Sequence, residues 1–183
     1  MLELERLEIN MHSVHYIDLI RSFLGNPSGI SAVTERHPEK THATSRTVIL
    51  FRYEGRDIRV VIATNHDHIY GEEREESYVK WEGTKGAIFA QMGLLLDYPR
   101  GREDLLRIHR NGASSWEDVE FSGSWFPDAF IGSMAAIQRY LEGSVDTLAT
   151  SVEDVINTMA VVEAAYESAA GPGIRPEYLK ESE

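Results

Sequence analysis

The 183-residue sequence contains no cysteine. That excludes disulfides, thiolate metal sites and cysteine nucleophiles, and it is compatible with a reducing compartment, so the expected location is cytoplasmic. Positive charge is scarce: 18 Lys+Arg stand against 30 Asp+Glu, a net charge of −12. A nucleic-acid binder needs clustered Lys and Arg to displace counterions, and anionic bilayers repel an acidic surface. Neither nucleic acid nor membrane is therefore an expected partner. Apolar runs such as Val48-Ile49-Leu50-Phe51 stop far short of the roughly 20 residues of a membrane span. The stretch Met1-Leu2-Glu3-Leu4-Glu5 has no basic region and no long apolar region, so no secretion signal is readable.

Several cofactor and catalytic motifs are also missing. There is no Gly-x-Gly-x-x-Gly turn for a dinucleotide, no Gly-x-x-x-x-Gly-Lys loop and no Gly-x-Ser-x-Gly elbow. The chain is too short to hold a cofactor domain and a substrate domain together. At roughly 150 residues per domain it reads as one domain over 1–183. Apolar residues make up 42% of the chain, with 8 Tyr, 6 Phe and 3 Trp, a globular composition.

What is present is a helix, a run of strands and two closing helices. Leu2 to Ile9 reads as a possible strand, and His12 or Ser13 as the cap of a helix running to Leu24. Val14, Ile17, Ile20 and Leu24 form one apolar face of that helix. Strands are expected over 30–36, 46–53, 57–64, 78–82, 87–91, 105–109 and 116–121. Glu54-Gly55-Arg56 is a hairpin turn. One closing helix starts near Pro127, with the face Phe130, Met134, Ile137 and Leu141. The other opens on the capping box Ser151-Val152-Glu153-Asp154. Its expected face is Val152, Val155, Ile156, Met159, Val162 and Tyr166. Hairpin-joined strands with segregated helices predict an α+β fold, with a predominantly antiparallel or mixed open-faced sheet and helices on one face. Val48–Phe51 and Val60–Ala63 are apolar on both faces. Helices cover one face, and a second copy of the chain is expected to cover the other.

Three stretches carry candidate chemistry. His12 and His15 lie at i, i+3 on one side of the first helix, with Asp18 a turn further along. A histidine near a helix start with a carboxylate nearby suits proton transfer; the competing reading is a hydrogen-bonded structural histidine. In His66-Asp67-His68 the two imidazoles share a face if the segment is a strand. Together with His12 and His15 they would make a four-histidine metal site, but the spacing matches no defined metal motif, and no metal is expected. Trp125-Phe126-Pro127 stands at a loop-to-helix junction, where an aromatic either lines a sugar-sized pocket or pins the helix.

The segment His15-Tyr16-Ile17-Asp18-Leu19-Ile20-Arg21, followed by Leu24-Gly25-Asn26-Pro27, resembles the histidine helix of the Gfo/Idh/MocA family, the glucose–fructose oxidoreductase and inositol dehydrogenase-like enzymes. Phe51-Arg52-Tyr53-Glu54-Gly55 resembles that family's hairpin, and Glu82-Gly83-Thr84-Lys85-Gly86-Ala87-Ile88 its following strand pair. Phe130, Ser151–Asp154 and Val161–Ala169 resemble its closing helices. Four such pieces stand in family order across nearly the whole chain.

The resemblance implies only the family's C-terminal, dihydrodipicolinate-reductase-like domain, with its first segment missing and the N-terminal Rossmann domain absent. It implies a substrate-binding and oligomerisation domain that is not catalytically competent alone. It also implies a sugar- or polyol-like substrate and a homo-oligomer formed through the open sheet face. No cofactor is expected on this chain. NAD or NADP is implied for the full-length enzyme, carried by a Rossmann domain in cis or in trans. The proton-transfer histidine maps onto His15, with His12 as a possible substitute partner. Asp18, His66, His68 and Trp125 are the expected substrate-binding residues. The family's usual aspartate, four residues before the histidine, is replaced here by Met11. That leaves open a second reading, a non-enzymatic assembly or ligand-binding module that kept the fold.

Overall fold

A computed structural model describes residues 6–93 and 101–173. They form two compact units: one contains the chain up to His68 together with Ser151 onwards, and the other runs from Ile69 to Thr150. The architecture is α+β, as the sequence predicts.

The first unit begins with a wide helical turn, Ile9–Ser13, that runs directly into α1, Val14–Leu24. The Val14 N–H reaches back five residues to the Ile9 carbonyl, the pairing of a π-turn, a form often found at functional sites. Glu8 also has helical backbone angles. The strand expected at 2–9 is therefore not formed over its described end. Ser13 does not cap the helix through its side chain; its backbone is helical and its hydroxyl is used elsewhere. Helix α1 ends at Gly25, where φ is +79°, a conformation that glycine adopts without strain.

Three antiparallel strands follow: β1 (Gly29–His37), β2 (Lys40–Arg52) and β3 (Arg59–Asn65), with β2 in the centre. The helix α3, Val152–Ala169, closes the unit; it packs on β1 and against α1. Its N-terminus is capped as the sequence predicts, with the Ser151 hydroxyl accepting from the Asp154 N–H at 3.2 Å. Alternation along the strands sorts the side chains by face. Ile49, Phe51, Val60 and Ile62 are buried, along with Ile17 and Ile20 of α1 and Val161, Val162, Ala165 and Tyr166 of α3. Val33, Val48, Leu50 and Val61 lie on the opposite face, between 39% and 62% exposed. The pairings Val33↔Val48 and Leu50↔Val61 make them cross-strand neighbours. Helix α3 buries only its later turns. Val152, Val155, Ile156 and Met159, expected to face a core, are exposed.

In the second unit the strands β4 (Tyr78–Gly83), β5 (Gly86–Gln91), β6 (Leu105–Arg110) and β7 (Glu117–Asp118) pair antiparallel in chain order. The last is a two-residue edge where a longer strand, 116–121, was expected. Gly86 is required where it stands: φ is +150°, and a Cβ there would come within 2.1 Å of the His109 carbonyl oxygen. Helix α2, Ala129–Leu141, follows. It buries none of its residues, so its expected apolar face of Phe130, Met134, Ile137 and Leu141 is open. Periodicity identifies such a face but says nothing about its partner.

Candidate functional site

The site is built around a buried carboxylate, Glu8, whose side chain has no exposure to solvent. Both of its oxygens are within reach of the Ser13 hydroxyl, at 2.9 and 3.0 Å. Thr64 and Thr47, on adjacent strands, also hydrogen-bond to it. His66 Nε2 lies 3.4 Å from Glu8 Oε1. The π-turn brings Glu8 and Ser13 together: it widens the coil so that Ser13 points inward while Met11 and His12 face out.

His12 lies against His66, with ring centroids 3.8 Å apart and planes tilted by 31°. One ligand atom from each of Glu8, His12 and His66 can be chosen so that all three lie within 4.8 Å of one another. Electrostatics follow from this crowding. Burial pushes the Glu8 carboxyl upward, but hydrogen bonds from His66, Thr64, Ser13 and Thr47 outweigh it and hold the group below the ordinary value. Burial lowers the His12 imidazole, and so do the neighbouring His66 and His15, while Glu8 opposes them. The cluster thus favours an ionised carboxylate beside a neutral imidazole.

The other expected site residues fall as follows. His15 is exposed on α1, close enough to act on His12 electrostatically. Asp18 belongs to a separate polar knot. Its carboxylate accepts from Thr158 at 2.6 Å and lies 3.5 Å from Arg21. The Arg21 side chain, 6% exposed, also donates to Asn26 at 2.8 Å, to Asp154 at 3.1 Å and to Thr158. β3 ends at Asn65, so His66 and His68 do not share a strand face. His66 joins the cluster, and His68 follows it at the boundary of the first unit. Trp125 belongs to the second unit. Its indole N–H donates to the Gly93 carbonyl, its backbone N–H donates to Asp104, and its ring stands 5.9 Å from Phe126.

Glu8 was not singled out in the sequence. The signal was there: once the helix is begun at Glu8, Glu8 and His12 stand at i, i+4, the spacing of facing side chains. Reading 2–9 as a strand hides it.

Comparison with known proteins agrees with this architecture. Residues 10–173 match the profile described as the oxidoreductase family, C-terminal alpha/beta domain, of the Gfo/Idh/MocA type. The chain belongs to this family. Among curated Gfo/Idh/MocA-like relatives, it is 25% identical over 174 residues to a D-apiose dehydrogenase from Rhizobium rhizogenes (strain K84), covering 91% of this chain and 47% of that protein. Among solved structures it is similar to an oxidoreductase from Agrobacterium radiobacter in complex with NAD+, L-tartaric acid and magnesium. The TM-score is 0.69 and the identity 22%, over 91% of this chain and 48% of that one. It is also similar to the WlbA dehydrogenase from Bordetella pertussis in complex with NADH and UDP-GlcNAcA. There the TM-score is 0.58 and the identity 17%, over 90% of this chain and 43% of that one. At these identities the solved structures establish the fold. This Gfo/Idh/MocA chain spans about half the length of the relatives it matches. Among the described residues, no helix is long and apolar enough to cross a membrane.

Proposed function

We propose that the chain is the substrate-binding and oligomerisation domain of an NAD(P)-dependent oxidoreductase acting on sugar- or polyol-like molecules. On this reading it is not catalytically competent alone. The observation that carries it is the extent of the family match: residues 10–173 fit the C-terminal domain, while the chain covers only 47% of the D-apiose dehydrogenase it resembles.

In this reading a Rossmann domain, in cis or in trans, would hold a nicotinamide cofactor that would supply hydride-accepting chemistry. This chain handles the substrate hydroxyl and its proton. His15, exposed on α1, takes that proton, and His12 one turn earlier tunes or relays it. Glu8 supplies a carboxylate close to the histidines, in a part of the fold where Met11 supplies none. His66 and His68 present polar groups to the substrate, and Asp18 shapes the same helix through Arg21 and Thr158. The exposed sheet face of Val33, Val48, Leu50 and Val61 is suited to a second copy of the chain. The cysteine-free, acidic composition fits a cytoplasmic protein.

A second reading is favoured by one observation. Met11, 54% exposed, stands where the family resemblance implies an aspartate, and a thioether neither ionises nor orients a histidine. The chain would then be a non-enzymatic assembly or ligand-binding module. The two readings separate when the chain is joined to a family Rossmann domain and assayed with NAD and NADP on a panel of sugars and polyols. Turnover that falls at least about 100-fold in His15→Ala supports the enzyme reading. A folded fusion with no turnover supports the module.

A further inference from the structure

We propose that Glu8, His12 and His66 form a binding site for a divalent transition-metal cation of the Zn2+ class, with open positions toward solvent. This inference goes beyond the redox reading and does not depend on it.

The donor set is two imidazoles and one carboxylate. Such sets hold first-row divalent ions while leaving positions for water or a substrate oxygen. Ligand atoms around a tetrahedral ion at 2.0–2.1 Å stand about 3.4 Å apart. The Glu8–His66 pair is already at 3.4 Å, and all three atoms lie within 4.8 Å of one another. Ligation requires His12 to swing off the His66 ring so that a nitrogen of each faces the ion, and the His12 side chain is exposed.

The surroundings are those of a supported ligand. Ser13 reaches both oxygens of Glu8, and its hydroxyl stands 3.5 Å from that of Thr64. Hydrogen bonds of this kind orient a ligating carboxylate. The second imidazole, His12, stands directly beside the Glu8–His66 pair, with its ring centroid 3.8 Å from that of His66. Exposure of the two histidine rings beside a fully buried carboxylate leaves the outer side of the ion open.

The test is a calorimetric titration of ZnCl2 into the chain after chelator treatment. One equivalent should bind with micromolar or tighter affinity. His12→Gln and His66→Gln, each confirmed folded by circular dichroism, should each weaken binding by at least about 10-fold. His109→Gln, in the second unit, should leave it unchanged. Co2+ in place of Zn2+ should give a visible absorption band that both cluster variants lose. No saturable binding to the folded wild-type chain overturns the proposal. So does binding that either cluster variant retains in full, which would place the ion on other histidines of the seven in the chain.

Discussion

The Glu8 carboxylate and the His66 imidazole meet at 3.4 Å, one from the turn that opens the first helix and one from just past β3. The carboxylate is wholly buried, and Ser13, Thr64 and Thr47 surround it with hydroxyls. Replacing it with Leu leaves those groups without their acceptor. Glu8→Leu should therefore cost about 1–3 kcal/mol of stability by urea denaturation of metal-free protein. Glu8→Gln keeps one acceptor oxygen and should recover part of the loss. If the two variants are equally stable, the carboxylate is not holding these elements together.

Arg21 ties α1 to α3. Its guanidinium, nearly buried, reaches Asn26, Asp154 and Thr158 and lies beside Asp18. Arg21→Ala should cost about 3 kcal/mol. Arg21→Lys should recover less than half of that, because one ammonium cannot span a fork of partners. A lysine variant as stable as wild type would contradict this account.

The exposed sheet face makes a separate prediction. Val48 and Val61 are 43% and 55% exposed, so a lysine at either position reaches solvent in the isolated chain. Sedimentation should show an oligomer for the wild type. Val48→Lys and Val61→Lys should shift it to monomer with an unchanged circular dichroism spectrum. A monodisperse wild-type monomer at micromolar concentration would remove the oligomer from the functional reading.

Most of the strand and helix pattern was legible in the sequence because it rests on local periodicity and turn chemistry. β2 and β3 follow β-branched runs around Glu54-Gly55-Arg56, and α3 starts on its Ser151 cap. What local pattern cannot show is where the chain departs from it. The π-turn at Ile9–Ser13 has no residue signature of its own, so Glu8 was hidden in an expected strand. His66 was expected to pair with His68 across a strand face. Instead β3 ends at Asn65, and the partners of His66 come from the far end of the unit's sequence. Likewise, the apolar faces of α2 and early α3 were readable as faces, but their exposure depends on what packs against them.

The proposed function places the nicotinamide site on a Rossmann domain and none on this chain. Calorimetric titration of NADH into the purified chain tests it most directly. The predicted result is no saturable heat, with any affinity weaker than about 1 mM. Saturable binding of NADH at micromolar concentration would contradict the claim.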